Sequence, residues 1–75
     1  MTPREWNNLP ELIRRGDVLA AGLTRDVLPE VTVLVASAGD LDAVPHGKVA
    51  AVRVGKQLRF VKSTVSRMLP REFRN

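Results

Sequence analysis

The sequence predicts a small α+β fold, and three observations lead to this class. The run from Val49 to Lys62 alternates apolar and basic residues around a glycine, which is typical of two half-buried strands joined as a hairpin. The first residues carry the signals of a helix start, and a further helical pattern follows Ser63. The chain of 75 residues is long enough for one domain with a modest core.

An N-terminal helix is predicted over residues 1–16. Thr2 is a suitable N-cap, a proline follows at the first helical position, and Glu5 stands three residues after the cap. Pro10 should kink or split this helix, and Gly16 should end it. The apolar stripe at helical spacing consists of Trp6, Leu9, Leu12 and Ile13.

The middle of the chain permits more than one interpretation. Thr24 is a suitable N-cap for a second helix, which Pro29 should disturb. Residues 32–36 are rich in β-branched side chains and fit a buried strand as well as a helix. Residues 17–23 fit either a short helical turn or a linker.

The register of the hairpin, residues 47–62, is predicted from its buried face. A two-residue loop after Val54 pairs Arg53 with Leu58, which puts a charge and a hydrophobe on one face. A three-residue loop pairs Arg53 with Arg59 instead, and we prefer it because a one-residue slip turns every side chain over. The predicted buried face is Val52, Val54, Leu58 and Phe60. The predicted cationic side is Arg53, Lys56 and Arg59.

Basic residues are concentrated in the C-terminal third of the chain. Residues 47–75 contain eight Lys and Arg against Glu72 alone, whereas residues 16–46 contain only Arg25 against five acidic residues. Such an asymmetry, with a net charge of +4, is the electrostatic footprint of a nucleic-acid binder. A high isoelectric point also occurs in small proteins that bind no nucleic acid.

The composition argues against several other classes. With no cysteine, disulfides and cysteine-ligated zinc are excluded, and a reducing, cytoplasmic location is expected. No apolar run approaches the roughly 20 residues of a membrane span, and no signal peptide is expected. His46 is the single histidine, and the serines have no convincing base partner. We therefore expect no active site, no cofactor and no metal site.

The C-terminal half has the pattern of a known family of DNA-binding domains. Gly47-Lys48 precede a strand with Arg53, Gly55-Lys56 stand at its turn, Arg59-Phe60 follow, and a helix from Ser63 ends in Leu69. This pattern resembles the excisionase-like, MerR-related winged-helix domains. Leu23-Thr24 stand where the helix-turn-helix of that family opens, so the resemblance spans about residues 23–69.

The resemblance implies a small winged helix-turn-helix with a two-stranded hairpin wing and an additional N-terminal helix. It would be one domain over residues 1–75, with the helix-turn-helix at 23–46, the wing at 47–62 and a C-terminal helix with a basic tail at 63–75. The implied DNA contacts are Lys48, Arg53, Lys56, Gln57, Arg59, Lys62 and Arg67.

The function implied by the resemblance is non-enzymatic. Phage and plasmid members of the family bind and bend attachment-site DNA and control the directionality of an integrase. The implied partners are double-stranded DNA, an integrase or recombinase, and further copies side by side on the DNA. The implied location is the nucleoid of a bacterial or phage-infected cell.

The segment in place of the recognition helix, residues 36–43, departs from the family. Ser37 and Asp40 are its possible groove-facing residues, but its two aspartates would be repelled by phosphates. One alternative is therefore a small protein-interaction module of a phage or plasmid, suggested by the acidic middle and by Trp6 with Phe73. Another is a β-rich domain that binds RNA or single strands, with 32–36 as a third strand.

Overall fold

A four-stranded mixed sheet organises the molecule. The computed structural model describes residues 1–37 and 39–74. Its strands are β1 (Leu12–Ile13), β2 (Thr32–Val35), β3 (Val49–Val54) and β4 (Gln57–Val61). Its helices are α1 (Pro3–Asn7), α2 (Arg15–Ala21), α3 (Leu28–Val31) and α4 (Lys62–Ser66), and 3₁₀ turns span Leu41–Ala43 and Arg71–Phe73. The order across the sheet is β1-β4-β3-β2, which confirms the α+β class. No helix in the described ranges is long and apolar enough to cross a membrane.

Helix α1 begins as predicted but ends well before residue 16. The Glu5 N–H donates to the Thr2 hydroxyl at 3.2 Å, and the Thr2 N–H donates to the Glu5 carboxylate at 3.1 Å, which completes a capping box. The helix stops at Asn7 because Pro10 lacks a backbone N–H and disfavours helical geometry in the residue before it. The residues beyond Pro10 form β1, so the predicted 1–16 helix is wrong after Asn7.

Helix α2 occupies a stretch for which the sequence fitted either a turn or a linker. Gly16, predicted to end the first helix, lies inside α2. The Arg14 N–H donates to the Asp17 carboxylate at 3.2 Å and so stabilises the start of the helix. Gly22 ends it with a φ of 132°, a conformation that side chains with a Cβ rarely adopt.

Residues 23–46 do not form the predicted helix-turn-helix in the part of the segment that the structure describes. Thr24 caps a turn, where its hydroxyl accepts from the Val27 N–H at 3.2 Å, and α3 is only one helical turn. The next residues form β2, which pairs in parallel with β3 and places Val33 opposite Ala50. The β-branched side chains of this run favour a strand once β3 supplies a partner.

Both faces of the sheet are covered at its base. The helix-side face packs Ile13, Val49, Ala51 and Phe60 against apolar residues of the helices, among them Trp6, Val18, Leu28 and Val65. The loop-side face packs Ala50, Val52 and Val61 against Leu41 and Val44 of the connection between β2 and β3. The first four residues of β3 are therefore all buried.

The C-terminal segment closes the core beside the N-terminus. Ser63, the predicted cap, lies inside α4, and its N–H donates to the Glu11 carboxylate at 3.0 Å. Phe73 packs edge-to-face on Trp6 with ring centroids 6.3 Å apart, and both side chains are buried. These two aromatic residues are therefore part of the core and form no partner-facing surface.

Candidate nucleic-acid interface

The tip of the β3–β4 hairpin extends beyond both cores. Residues 53–58 are all exposed, in contrast to the four buried residues before them. Val54 and Leu58 are 48% and 40% exposed, although the alternating pattern predicted that both are buried. The sheet is covered only at its base, so alternation near the tip does not indicate burial.

The predicted register of the hairpin is wrong by one residue. Gly55 and Lys56 form a two-residue loop, which pairs Arg53 with Leu58 and Val52 with Arg59. Gly55 has a φ of 63°, and no non-glycine residue in the described ranges has a positive φ. A two-residue hairpin loop with glycine first and a negative φ second is typical of a type II′ turn. Glycine in the first loop position thus indicates the two-residue loop, and burial of the alternating residues does not set the register.

The corrected register separates the cations of the hairpin. Arg53 lies on the helix-side face with Leu58, whereas Arg59 lies on the loop-side face with Val52. Lys56 is in the turn between the strands, and Gln57 follows it. The predicted single cationic side is therefore wrong. Instead, positive charge surrounds the tip on both faces and at its end.

Two predicted DNA contacts are lysines held by backbone carbonyls elsewhere in the molecule. The Lys48 ammonium donates to the Glu30 carbonyl at 3.0 Å. The Lys62 ammonium donates to the Leu9 carbonyl at 2.8 Å and lies 3.5 Å from two carbonyls of α1. Both side chains are half-buried, and they connect elements of the fold.

Arg67 lies away from the hairpin tip. It is exposed after α4 and lines a cleft of about 560 Å³ with Lys62 and Arg74, over the buried ring of Trp6. This cleft is at the end of β4 opposite the turn. Of the seven predicted contacts, the structure brings together Arg53, Lys56, Gln57 and Arg59.

The possible recognition-helix residues lie in a loop. Ser37 and Asp40 are both exposed, and the Asp40 N–H donates to the Ser37 carbonyl at 3.1 Å. Ala38, between them, lies outside the described residues. A single 3₁₀ turn, Leu41–Ala43, follows and packs Leu41 beneath the loop-side face. The described part of 36–43 thus presents no helix to a groove.

Sequence reasoning missed an apolar groove on the helix-side face. The groove has a volume of about 420 Å³, and Arg15 and Arg53 are the charged residues that line it. Leu34 on β2 is 58% exposed at this groove, and Leu58 also lines it. The apolar run 32–36 was visible in the sequence, but only the pairing of β2 with β3 places Leu34 on the same face as Leu58.

Comparison of the chain with family models, with curated proteins and with solved structures found no match, so the interpretation of these surfaces rests on their residues and geometry.

Proposed function

We propose that the protein binds duplex DNA through the hairpin tip, residues 53–59. The observation that carries this proposal is the exposed tip with Arg53 on one face, Arg59 on the other and Lys56 at its end. A two-stranded ribbon fits the major groove of B-DNA. A ribbon with cations on both faces places positive charge toward the phosphates on either side of the groove.

The finer assignment is a DNA-bending accessory factor of excisionase type, without enzymatic activity. Its support is the sequence resemblance from Gly47 to Leu69, with the hairpin in the role of the wing and DNA and an integrase as partners. In contrast to a winged helix-turn-helix, the described residues offer no recognition helix, so the hairpin makes the main contact. Val54 and Leu58 are exposed apolar side chains at the tip, where they suit contact with the thymine methyl groups of the major groove.

Fluorescence anisotropy with a labelled duplex over a series of salt concentrations tests DNA binding. Each phosphate contact contributes a slope of about −0.9 to log K against log salt concentration. The double variant Lys56→Gln/Arg59→Gln should therefore bind more weakly, with a slope less steep by about 2. The matched control is Arg4→Gln/Arg71→Gln, which removes the same charge from exposed positions outside the hairpin.

An equal loss of DNA affinity in the two double variants would show that only net charge matters and would contradict the hairpin site. Absence of binding to any duplex at low salt would contradict DNA binding itself. The excisionase assignment has its own measurement, because energy transfer between dyes at the two duplex ends should rise when the protein bends the DNA. Binding without a change in this transfer would argue against that assignment alone.

A further inference from the structure

We propose that Arg15, which lies outside the hairpin, is a further DNA contact, and that the duplex lies against the helix-side face of the sheet. Arg15 binds a phosphate of the same DNA strand that Arg53 contacts. This inference rests on the proposed function, because it assigns how DNA lies on the hairpin. It extends the interface from the tip to the first residue of α2.

The pairing at the sheet edge places Arg15 beside the hairpin. β1 runs antiparallel to β4 and has Ile13 opposite Phe60. The chain then passes from this edge into α2, whose first residue is Arg15. Arg15 therefore lines the groove on the helix-side face together with Phe60 and Leu58. Arg53 lines the same groove, and both arginines are exposed.

The depth of the major groove decides what each arginine can reach. The groove is about 8.5 Å deep, and a strand advances about 3.3 Å per residue. Arg53 precedes Gly55 by two residues, about 7 Å, so it lies near the phosphates when the turn reaches the base edges. Arg15 follows a strand that ends level with Phe60, and it lies no nearer to the turn than Arg53. It can therefore contact a phosphate but no base edge.

The two faces of the sheet differ in charge, which determines the side on which the duplex lies. On the helix-side face, Arg15 and Arg53 line the groove, and no acidic residue in the described ranges lines it. The loop-side face is covered by the connection after β2, where Asp40 and Asp42 line a cleft along that strand. These carboxylates repel phosphates and oppose the attraction of Arg59. The phosphate backbone is therefore held more strongly on the helix side.

Fluorescence anisotropy with labelled duplexes tests the Arg15 contact. Arg15→Gln should bind DNA about fivefold more weakly in about 0.1 M salt, with a slope less steep by about 0.9. The loss should agree within about twofold on an A·T-rich and a G·C-rich duplex, because a phosphate contact carries no sequence information. Arg15→Lys keeps the charge and should bind within about twofold of the wild type. The matched control is Arg4→Gln, which removes the same charge from an exposed position of α1 and should also stay within about twofold.

Several results would overturn the Arg15 contact and leave the hairpin site intact. These are wild-type affinity in Arg15→Gln when Lys56→Gln/Arg59→Gln binds weakly, equal losses in Arg15→Gln and Arg4→Gln, a loss confined to one duplex, or an Arg15→Lys variant as weak as Arg15→Gln. A wild type without affinity for any duplex would overturn both proposals. Emission of the buried Trp6 reports whether each variant is folded.

Discussion

Among single residues, Thr64 connects two strands of the sheet through hydrogen bonds of its side chain. Its hydroxyl accepts from the Ala50 N–H at 2.9 Å and donates to the Val61 carbonyl at 2.7 Å. Thr64 is fully buried, so water cannot satisfy these groups. The hydroxyl thereby connects β3 to β4 at the point where β4 passes into α4.

Replacement of Thr64 by valine should cost about 2 kcal/mol of unfolding free energy, because it leaves the buried Ala50 N–H without its acceptor. Thr64→Ser keeps the hydroxyl and should cost only about 1 kcal/mol for the lost methyl group. Urea denaturation measures both values. Hydrogen exchange of the Ala50 amide should accelerate more in the valine variant than in the serine variant, and equal rates would argue against the bridge.

The stability of the N-terminal cap should depend on pH. The hydrogen bond from the Thr2 backbone N–H, followed by that from its hydroxyl, lowers the pKa of Glu5 below its ordinary value. Because the folded protein favours the charged carboxylate, the contribution is present above the ordinary pKa and is lost as pH falls through the lowered one. Between about pH 5 and about pH 3, the wild type should therefore lose more stability than Glu5→Gln. If urea denaturation shows that both proteins lose the same unfolding free energy over this pH range, the role of the Glu5 carboxylate is contradicted.

The contacts of the lysines show that residue type alone does not predict what a side chain binds. Lys48 and Lys62 have the same charge as Lys56, but they bind carbonyls that are distant in the chain, at Glu30 and Leu9. The residues next to each lysine in the sequence contain no signal for these distant carbonyl partners. The sequence therefore predicted that Arg53, Lys56 and Arg59 belong to the hairpin tip, but it did not predict that Lys48 and Lys62 bind carbonyls of other elements.

Among the elements, the hairpin turn depends on the backbone of Gly55. A Cβ at Gly55 would meet no atom within 4 Å, so the effect of Gly55→Ala is purely conformational. At a φ of 63° an alanine should cost about 1 kcal/mol. Gly16→Ala is the matched control, because it lies in α2 in similarly open space and should stabilise the protein by about 0.5 kcal/mol. Thermal denaturation should show opposite shifts, and shifts of the same sign would contradict the turn assignment.

Elements with local signals were predicted, whereas those that depend on distant partners were predicted wrongly or left open. Neighbouring residues in the sequence predict the capping box at Thr2 and the existence of the hairpin, and both are present. Residues 32–36 fitted a strand as well as a helix, and Thr32–Val35 form a strand because β3, about 17 residues away in the paired register, lies beside them. Leu12 and Ile13 likewise fit a helical spacing in the sequence, but in the structure they pair with β4.

For the molecule as a whole, the two chain ends meet in the main core. Trp6 is 1% exposed and packs against Phe73, so residues near opposite termini stabilise each other. Phe73→Ala should cost about 3 kcal/mol in urea denaturation and shift the emission of Trp6 to longer wavelength. Arg71→Ala, two residues before it, exposed and outside the cleft over Trp6, is the control and should change neither. An unshifted emission in Phe73→Ala would contradict the packing of the termini.

The central claim is that the hairpin tip is the surface that contacts DNA. The most direct test is a titration of ¹⁵N-labelled protein with duplex DNA, followed by amide chemical shifts. We expect the largest changes in residues 53–59 and small ones in Ser37 and in residues 39–43. Changes concentrated in 36–43 with an unaffected hairpin would contradict the account.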